Sequence, residues 1–229
     1  LGLVGSEMCI RDRYWCYLMT KYNVLFSMFF WLSFREDILI DILEKAGFEK
    51  LISDEAGYVI FPGIKVEPGP KTIAVYNGVK VKWNHHRFNL LFEGPYEEVL
   101  ESVKKVIESF SNSDYKLEDI LHFIEVIVKD KRLTMDNYIK SIRRKISFTL
   151  EIHDQKLRVF SLSLSNMEVP YSSMNFYQWF HISLEPDVNS PNKVLYIKIV
   201  RRFNDFKTAI TFLEKLDEIF NSISNQLIR

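Results

Sequence analysis

TIAVYNGVKVKWNHHRFNLLF, residues 72–92, decides the fold. Ile73 and Val75 alternate with Thr72 and Ala74, then Asn77–Gly78 interrupts the run. That dipeptide is the strongest two-residue hairpin signal, because both central positions of a type I′ turn need positive φ. The return run sets Val79, Val81 and Trp83 against Lys80 and Lys82. Successive strand side chains point to opposite faces, so this alternation makes one face apolar and the other wet. NHHR, residues 84–87, predicts a second turn, and Phe88, Leu90 and Phe92 a third strand. The segment is an antiparallel meander.

On the N-terminal side, YNVLFSMFFWLSF, residues 22–34, is apolar but shorter than the roughly 20 residues of a membrane span. It reads as a buried strand, with a signal or anchor and a buried helix as the alternatives. Ser33 and Glu36 have capping-box spacing ahead of a helix whose face is Ile38, Leu39, Ile42, Leu43 and Ala46, stopped by Gly47. GYVIFPGIKVEPGP, residues 57–70, reads as a short strand and a Pro/Gly turn. On the C-terminal side, Gly94–Pro95 breaks the meander. A helix follows with Glu97 and Glu98 in its first turn and an apolar face through Val99, Val103, Val106 and Phe110. SNSD, residues 111–114, marks the boundary between halves.

The second half repeats the order of events. LHFIEVIV, residues 121–128, is a buried strand, and Thr134 caps a helix carrying Met135, Tyr138, Ile139 and Ile142. Ile146, Phe148, Leu150 and Ile152 alternate with polar residues. Residues 157–164 form a strand with a bulge near Val159–Phe160. Phe180, Ile182 and Leu184 alternate again, and residues 194–200 supply a last strand. Asn204 caps a final helix with Phe206, Ile210, Leu213, Leu216, Phe220 and Ile223 on its core side.

The fold class is therefore α+β, as two tandem pseudo-repeats of strand, helix, antiparallel strands and helix. Each sheet is covered on one face by its helices, and the two sheets either stay separate or join edge to edge. The halves span 19–112 and 113–229. Residues 1–18 stand apart: residues 3–13, LVGSEMCIRDR, resemble one translated frame of a sequencing adapter, and Met19 is the first plausible natural start.

The element order resembles the duplicated half of the TATA-box-binding protein family. GVKVKWNHHRFNLLFEGPYEEVLESVKKVIESF, residues 78–110, is similar to a segment of an uncharacterised, sporadically distributed prokaryotic family of this length. That family's next strand carries an arginine–tyrosine–asparagine signature, which ILHFIEVIVKDKR lacks. The resemblance implies a prokaryotic, metagenomic source and no particular function.

Thirty Lys and Arg balance thirty Asp and Glu, which argues against wholesale coating of a phosphate backbone. Apolar content of 47% excludes disorder. Cys9 and Cys16 both precede Met19, so the remaining chain has no thiolate for a disulfide, zinc site or nucleophile. A cytoplasmic location fits. No phosphate-binding glycine loop, nucleophile elbow, zinc-hydrolase motif or calcium loop occurs. His85 and His86 read as an exposed turn, and His122, His153 and His181 as strand histidines. No catalytic, cofactor-binding or metal residue is assigned, and no cofactor is expected.

Two clusters remain. The loop MEVPYSSMNFYQWF, residues 167–180, gathers Tyr171, Met174, Phe176, Tyr177 and Trp179, either as a plug over the sheet or as a partner-contact surface. Lys140, Arg143, Arg144 and Lys145, with Lys129, Lys131 and Arg132 nearby, are the candidate contact for an anion or a nucleic acid. Arg201–Arg202 would extend that patch if the fold brought it close. The reading that follows is a non-catalytic protein-interaction module with a protein partner or a second copy of itself, and no membrane association. The alternatives are nucleic-acid binding through the sheet face or the 129–145 segment, and an enzyme with a pocket between the halves.

Overall fold

A computed structural model describes residues 22–51, 69–133, 138–146, 148–152, 155–166, 179–191 and 193–228. The first half runs β1 (Asn23–Phe30), α1 (Glu36–Lys45), β2 (Glu49–Lys50), β3 (Lys71–Tyr76), β4 (Val79–Asn84), β5 (Asn89–Pro95) and α2 (Tyr96–Ser111). A short α3 (Leu117–Ile120) leads into the second half. There β6 (Leu121–Leu133), α4 (Tyr138–Lys145), β7 (Thr149–Ile152), β8 (Gln155–Arg158) and β9 (Leu162–Ser165) precede β10 (Phe180–Pro186) and β11 (Val194–Phe203). The chain ends in α5 (Phe206–Glu214), α6 (Leu216–Ile223) and a π-helical turn (Ser224–Ile228).

The protein is α+β, built on a nine-stranded antiparallel sheet of order β2-β3-β4-β5-β1-β6-β11-β10-β9. The halves share this one sheet, joined where β1 pairs with β6 from Asn23↔Lys129 to Phe29↔Phe123. In each half the first strand lies at the join and the last strand lies beside it. The apolar segment at 22–34 is thus a central strand, paired on both sides.

Strand parity settles which face is the core. Val24, Phe26, Met28 and Phe30 of β1 are buried together with Ile124, Val126 and Val128 of β6. The same cluster takes Leu39 and Leu43 from α1, Val103 and Phe110 from α2, Ile142 from α4, and Phe212 and Phe220 from α5 and α6. Every described helix of eight residues or more packs on this one face. Tyr22 closes the layer by stacking on Phe220 at 4.5 Å between centroids, and its hydroxyl donates to Asp217 at 2.6 Å.

The expected hairpin forms with Asn77 at φ 45° and Gly78 at φ 81°, which carries the β3–β4 register Tyr76↔Val79. Gly47, at φ 89°, ends α1 with its N–H donating to the Glu44 carbonyl.

Four local expectations are corrected. Ser33 does not cap α1: the N-cap is Arg35, which makes no side-chain cap bond, and the Ser33 hydroxyl instead lies 3.3 Å from Nδ1 of His85. The favourable N-terminal charge comes from Glu36 and Asp37. Asp205, not Asn204, caps α5, its carboxylate accepting from the Thr208 N–H at 2.8 Å. Residues 157–164 are not one bulged strand: β8 ends at Arg158 and β9 begins at Leu162 in a different sheet. Only Ile146 of the stripe at 146–152 packs against the core: Phe148 is 60% exposed, and β7 and β8 form a separate hairpin on which Leu150 is 44% and Ile152 47% exposed. Thr134, Met135 and His153 lie outside the described residues, as does the segment expected to form a strand and turn at 57–68.

The Asp205 cap gives a measurable expectation. Its bond from the Thr208 backbone holds the carboxyl below its ordinary value. The stabilisation is therefore complete above the unfolded carboxylate value of about 3.9 and is lost as pH falls through the lower folded one. Asp205→Ala costs about 1 kcal/mol in urea unfolding at pH 7, and the gap between the two proteins narrows below about pH 3.9.

Candidate functional site

With the helices on one side, the other face of the sheet carries no helix among the described residues. Phe123 and Val200 are buried yet stand outside the core cluster, which places them on this second face. The strand registers arrange its side chains in rows that cross the strands. One row runs Lys80, Glu93, Leu25, Ile127, Val200, His181 and Ser165. The next, toward one end of the strands, runs Lys82, Leu91, Ser27, Glu125 and Arg202. The row on the other side runs Pro95, Asn23, Lys129, Lys198, Ser183 and Ser163, followed by Lys131, Tyr196 and Glu185.

The centre is apolar: Leu25, Ile127 and Val200 lie side by side, and Phe29 stacks on Phe123 at 4.2 Å and 10°. At one border, Arg202 donates through Nε to Glu125 at 2.7 Å, with the two side chains only 16% and 17% exposed. The guanidinium lies over the rings of Phe123 and Trp179 at 5.4 and 4.8 Å. Trp179 is fixed in turn by its indole N–H to the Ser165 hydroxyl at 3.2 Å, and its carbonyl accepts from the Arg202 N–H. Trp31, 59% exposed, lies against His122 at 3.6 Å between centroids, and burial pushes that imidazole below its ordinary value.

Charge is distributed unevenly on this face. Lys82 bonds Glu93 at 2.6 Å, and that contact, aided by the fields of Lys80 and Lys129, holds the Glu93 carboxyl below its usual range. Asp187 is held low chiefly by the Tyr196 hydroxyl that donates to it, at 3.0 Å. Beside Lys80 and Glu93 a cavity of about 310 Å³ is lined by Tyr22, Asn23, Gly78, Gly94 and Pro95 as well. All of these residues belong to the first half, so this cavity does not lie between the halves. Among the described residues no group of three His, Cys, Asp or Glu is placed to hold a metal ion, and no helix is long and apolar enough to cross a membrane.

Of the expected partner contacts, Trp179 belongs to this face, while Tyr171, Met174, Phe176 and Tyr177 lie outside the described residues. Lys140, Arg143, Arg144 and Lys145 are exposed on α4, whose Ile142 is buried in the helix-side core. They are thus separated from the helix-free face. Nε of Arg143 donates to the Val159 carbonyl at 3.4 Å, and the Lys145 ammonium donates to the Gln226 carbonyl. Three cations in the last turn of α4 also complement its dipole. Arg201 and Arg202 do not extend that patch. Arg201 lies over the rings of Phe180, Phe203 and Phe212 on the core side, and Arg202 pairs with Glu125 on the other.

Sequence reasoning did not single out Leu25, Ile127, Lys198 or the Glu125–Arg202 pair. The alternation that would have found them is present in β6 and β11, as Glu125-Val126-Ile127-Val128-Lys129 and Tyr196-Ile197-Lys198. No protein-family model matches the chain, and no curated protein matches its sequence.

Proposed function

We propose that this protein is a non-catalytic, cytoplasmic interaction module whose helix-free sheet face receives a protein partner. The observation that carries the reading is the partly exposed apolar centre of that face, Leu25, Ile127 and Phe29, lying over the buried Val200 and Phe123 and set inside a charged and aromatic border. An apolar centre with a polar rim and anchoring Trp and Arg side chains is the anatomy of a protein interface. The outward strand order from the β1–β6 join, the same in both halves, supports reading the sheet as a duplicated unit.

Nucleic-acid binding is the second reading, favoured by the lysines of the same face rather than by α4. The Glu93, Glu125 and Glu185 carboxylates among them weigh against a continuous phosphate backbone.

The test is a face-specific variant. The full chain is expected to capture a protein partner, or to self-associate in size-exclusion light scattering. Ile127→Glu is expected to abolish this, and Glu44→Gln, on α1, to leave it intact. A monomer without partners, or capture insensitive to Ile127→Glu, would end the reading.

A further inference from the structure

We propose that Lys129 and Lys198, with Lys131 beside them, dock a segment of the partner protein in which acidic side chains alternate with apolar ones. The proposal deepens the interaction reading above and rests on it.

Lys129 and Lys198 are directly opposed across β6 and β11. Opposed residues bring their Cβ atoms to about 4.5–5.5 Å, and like charges there destabilise the pair. Four residues along the same two strands the opposed residues are Glu125 and Arg202, which form an ion pair. The sheet therefore satisfies one charged position internally and leaves the other repulsive. Lys80, Lys129, Lys131 and Lys198 are all exposed. Lys80 stands opposite Glu93, and Lys131 lies in the field of Asp187, whereas Lys129 and Lys198 face each other and make no close ion pair among the described residues. Lys71, Lys82, Lys104 and Lys105 each have one. Neutral side chains, Asn23 and Ser183, flank the opposed pair in its own row.

Charge complementarity selects an anionic occupant, and the neighbouring row selects its kind. The partly exposed Leu25 and Ile127 lie one two-residue step away, about 6.4–6.8 Å along the strands. A segment that presents carboxylates to the lysines and aliphatic side chains to that row matches both. Toward β4 the lysines are compensated by Glu93, which bonds Lys82 and stands opposite Lys80 at the rim of the 310 Å³ cavity, so the uncompensated cations are those of β6 and β11. A phosphate backbone would have to pass the carboxylates of Glu93 and Glu185 and would leave Leu25 and Ile127 without an apolar contact.

The full chain is titrated, with fluorescence anisotropy, against a labelled decapeptide of alternating Glu and Leu, its Gln/Leu counterpart, and a single-stranded thymidine dodecamer. The Glu/Leu peptide is expected to bind, the Gln/Leu peptide not to, and affinity is expected to fall as salt rises from about 50 to 300 mM. Lys198→Glu is expected to weaken binding by about tenfold or more while its melting temperature stays level or rises, because the like-charged pair becomes an opposite-charged one. That combination separates lost docking from lost folding. Unchanged affinity in Lys198→Glu overturns the proposal, as does tighter binding of the thymidine dodecamer with the same lysine dependence. If Ile127→Glu loses partner capture while Lys198→Glu keeps it, the lysine site fails and the interaction reading stands. If Ile127→Glu keeps capture, the interaction reading itself fails.

Discussion

Phe26→Ala is expected to cost about 3–5 kcal/mol in urea unfolding, against about 1–2 kcal/mol for Phe29→Ala three residues away. Both are phenylalanines on the same central strand, paired to β5 and β6 throughout. They differ in the face they occupy. Phe26 is fully buried, with its ring edge-on to Phe92 at 6.5 Å, and belongs to the cluster into which α1, α2, α5 and α6 pack. Removing it leaves a cavity between two layers that cannot collapse without moving a helix. Phe29 is half-buried on the helix-free face and loses chiefly its stack on Phe123. The slope against urea should stay the same for both, since neither change alters the surface exposed on unfolding. Equal losses would mean that both faces are covered, and the account of an open binding face would be wrong.

The meander and the amphipathic helices were legible because each carries its own period. Val79, Val81 and Trp83 alternate with lysines, and Val99, Val103, Val106 and Phe110 recur at helical spacing. The asparagine–glycine turn specifies a backbone that few other pairs can adopt. The 149–158 hairpin was misplaced for a related reason. Alternation reports a strand but not its neighbour, and only the pairing Thr149↔Arg158 shows that β7 and β8 bond to each other rather than to the large sheet. The caps were off by one or two residues, because Ser33 and Asn204 are as good cap formers as the positions used, and backbone geometry chooses between them. That the halves share a sheet was open, since the β1–β6 join brings together residues about a hundred positions apart and leaves no local signal.

The candidate site was less legible than the fold. A run of basic residues on a helix, 140–145, is visible in one dimension, whereas the lysines of the helix-free face come from three separate strands. Lys129 and Lys198 become neighbours only once register is known. The α4 cations, conspicuous in sequence, face away from it and spend donors on the carbonyls of Val159 and Gln226.

Arg202→Ala is expected to destabilise the protein by about 2–3 kcal/mol, more than deletion of any other ion pair among the described residues. The figure is below the range for a fully buried pair because both side chains retain some solvent contact, 16% and 17%. The change strands the Glu125 carboxylate among Phe123, Ser27 and the sheet, and also removes the cation from the faces of Phe123 and Trp179. By contrast, Lys104→Ala breaks a pair with Glu214 whose side chains are half exposed, and should stay within about 0.5 kcal/mol. The double variant Glu125→Leu with Arg202→Met replaces two desolvated charges by apolar groups of similar volume, and should recover to within about 1 kcal/mol of the parent. If the single and double variants lose the same amount, the pair is not coupled and the border of the face is not held by it. Partner capture discriminates further: with the apolar centre untouched, the double variant should keep the fold but lose the Arg202 anchor for Trp179. A drop in capture without a drop in stability would place the Glu125–Arg202 pair at the interface itself rather than beneath it.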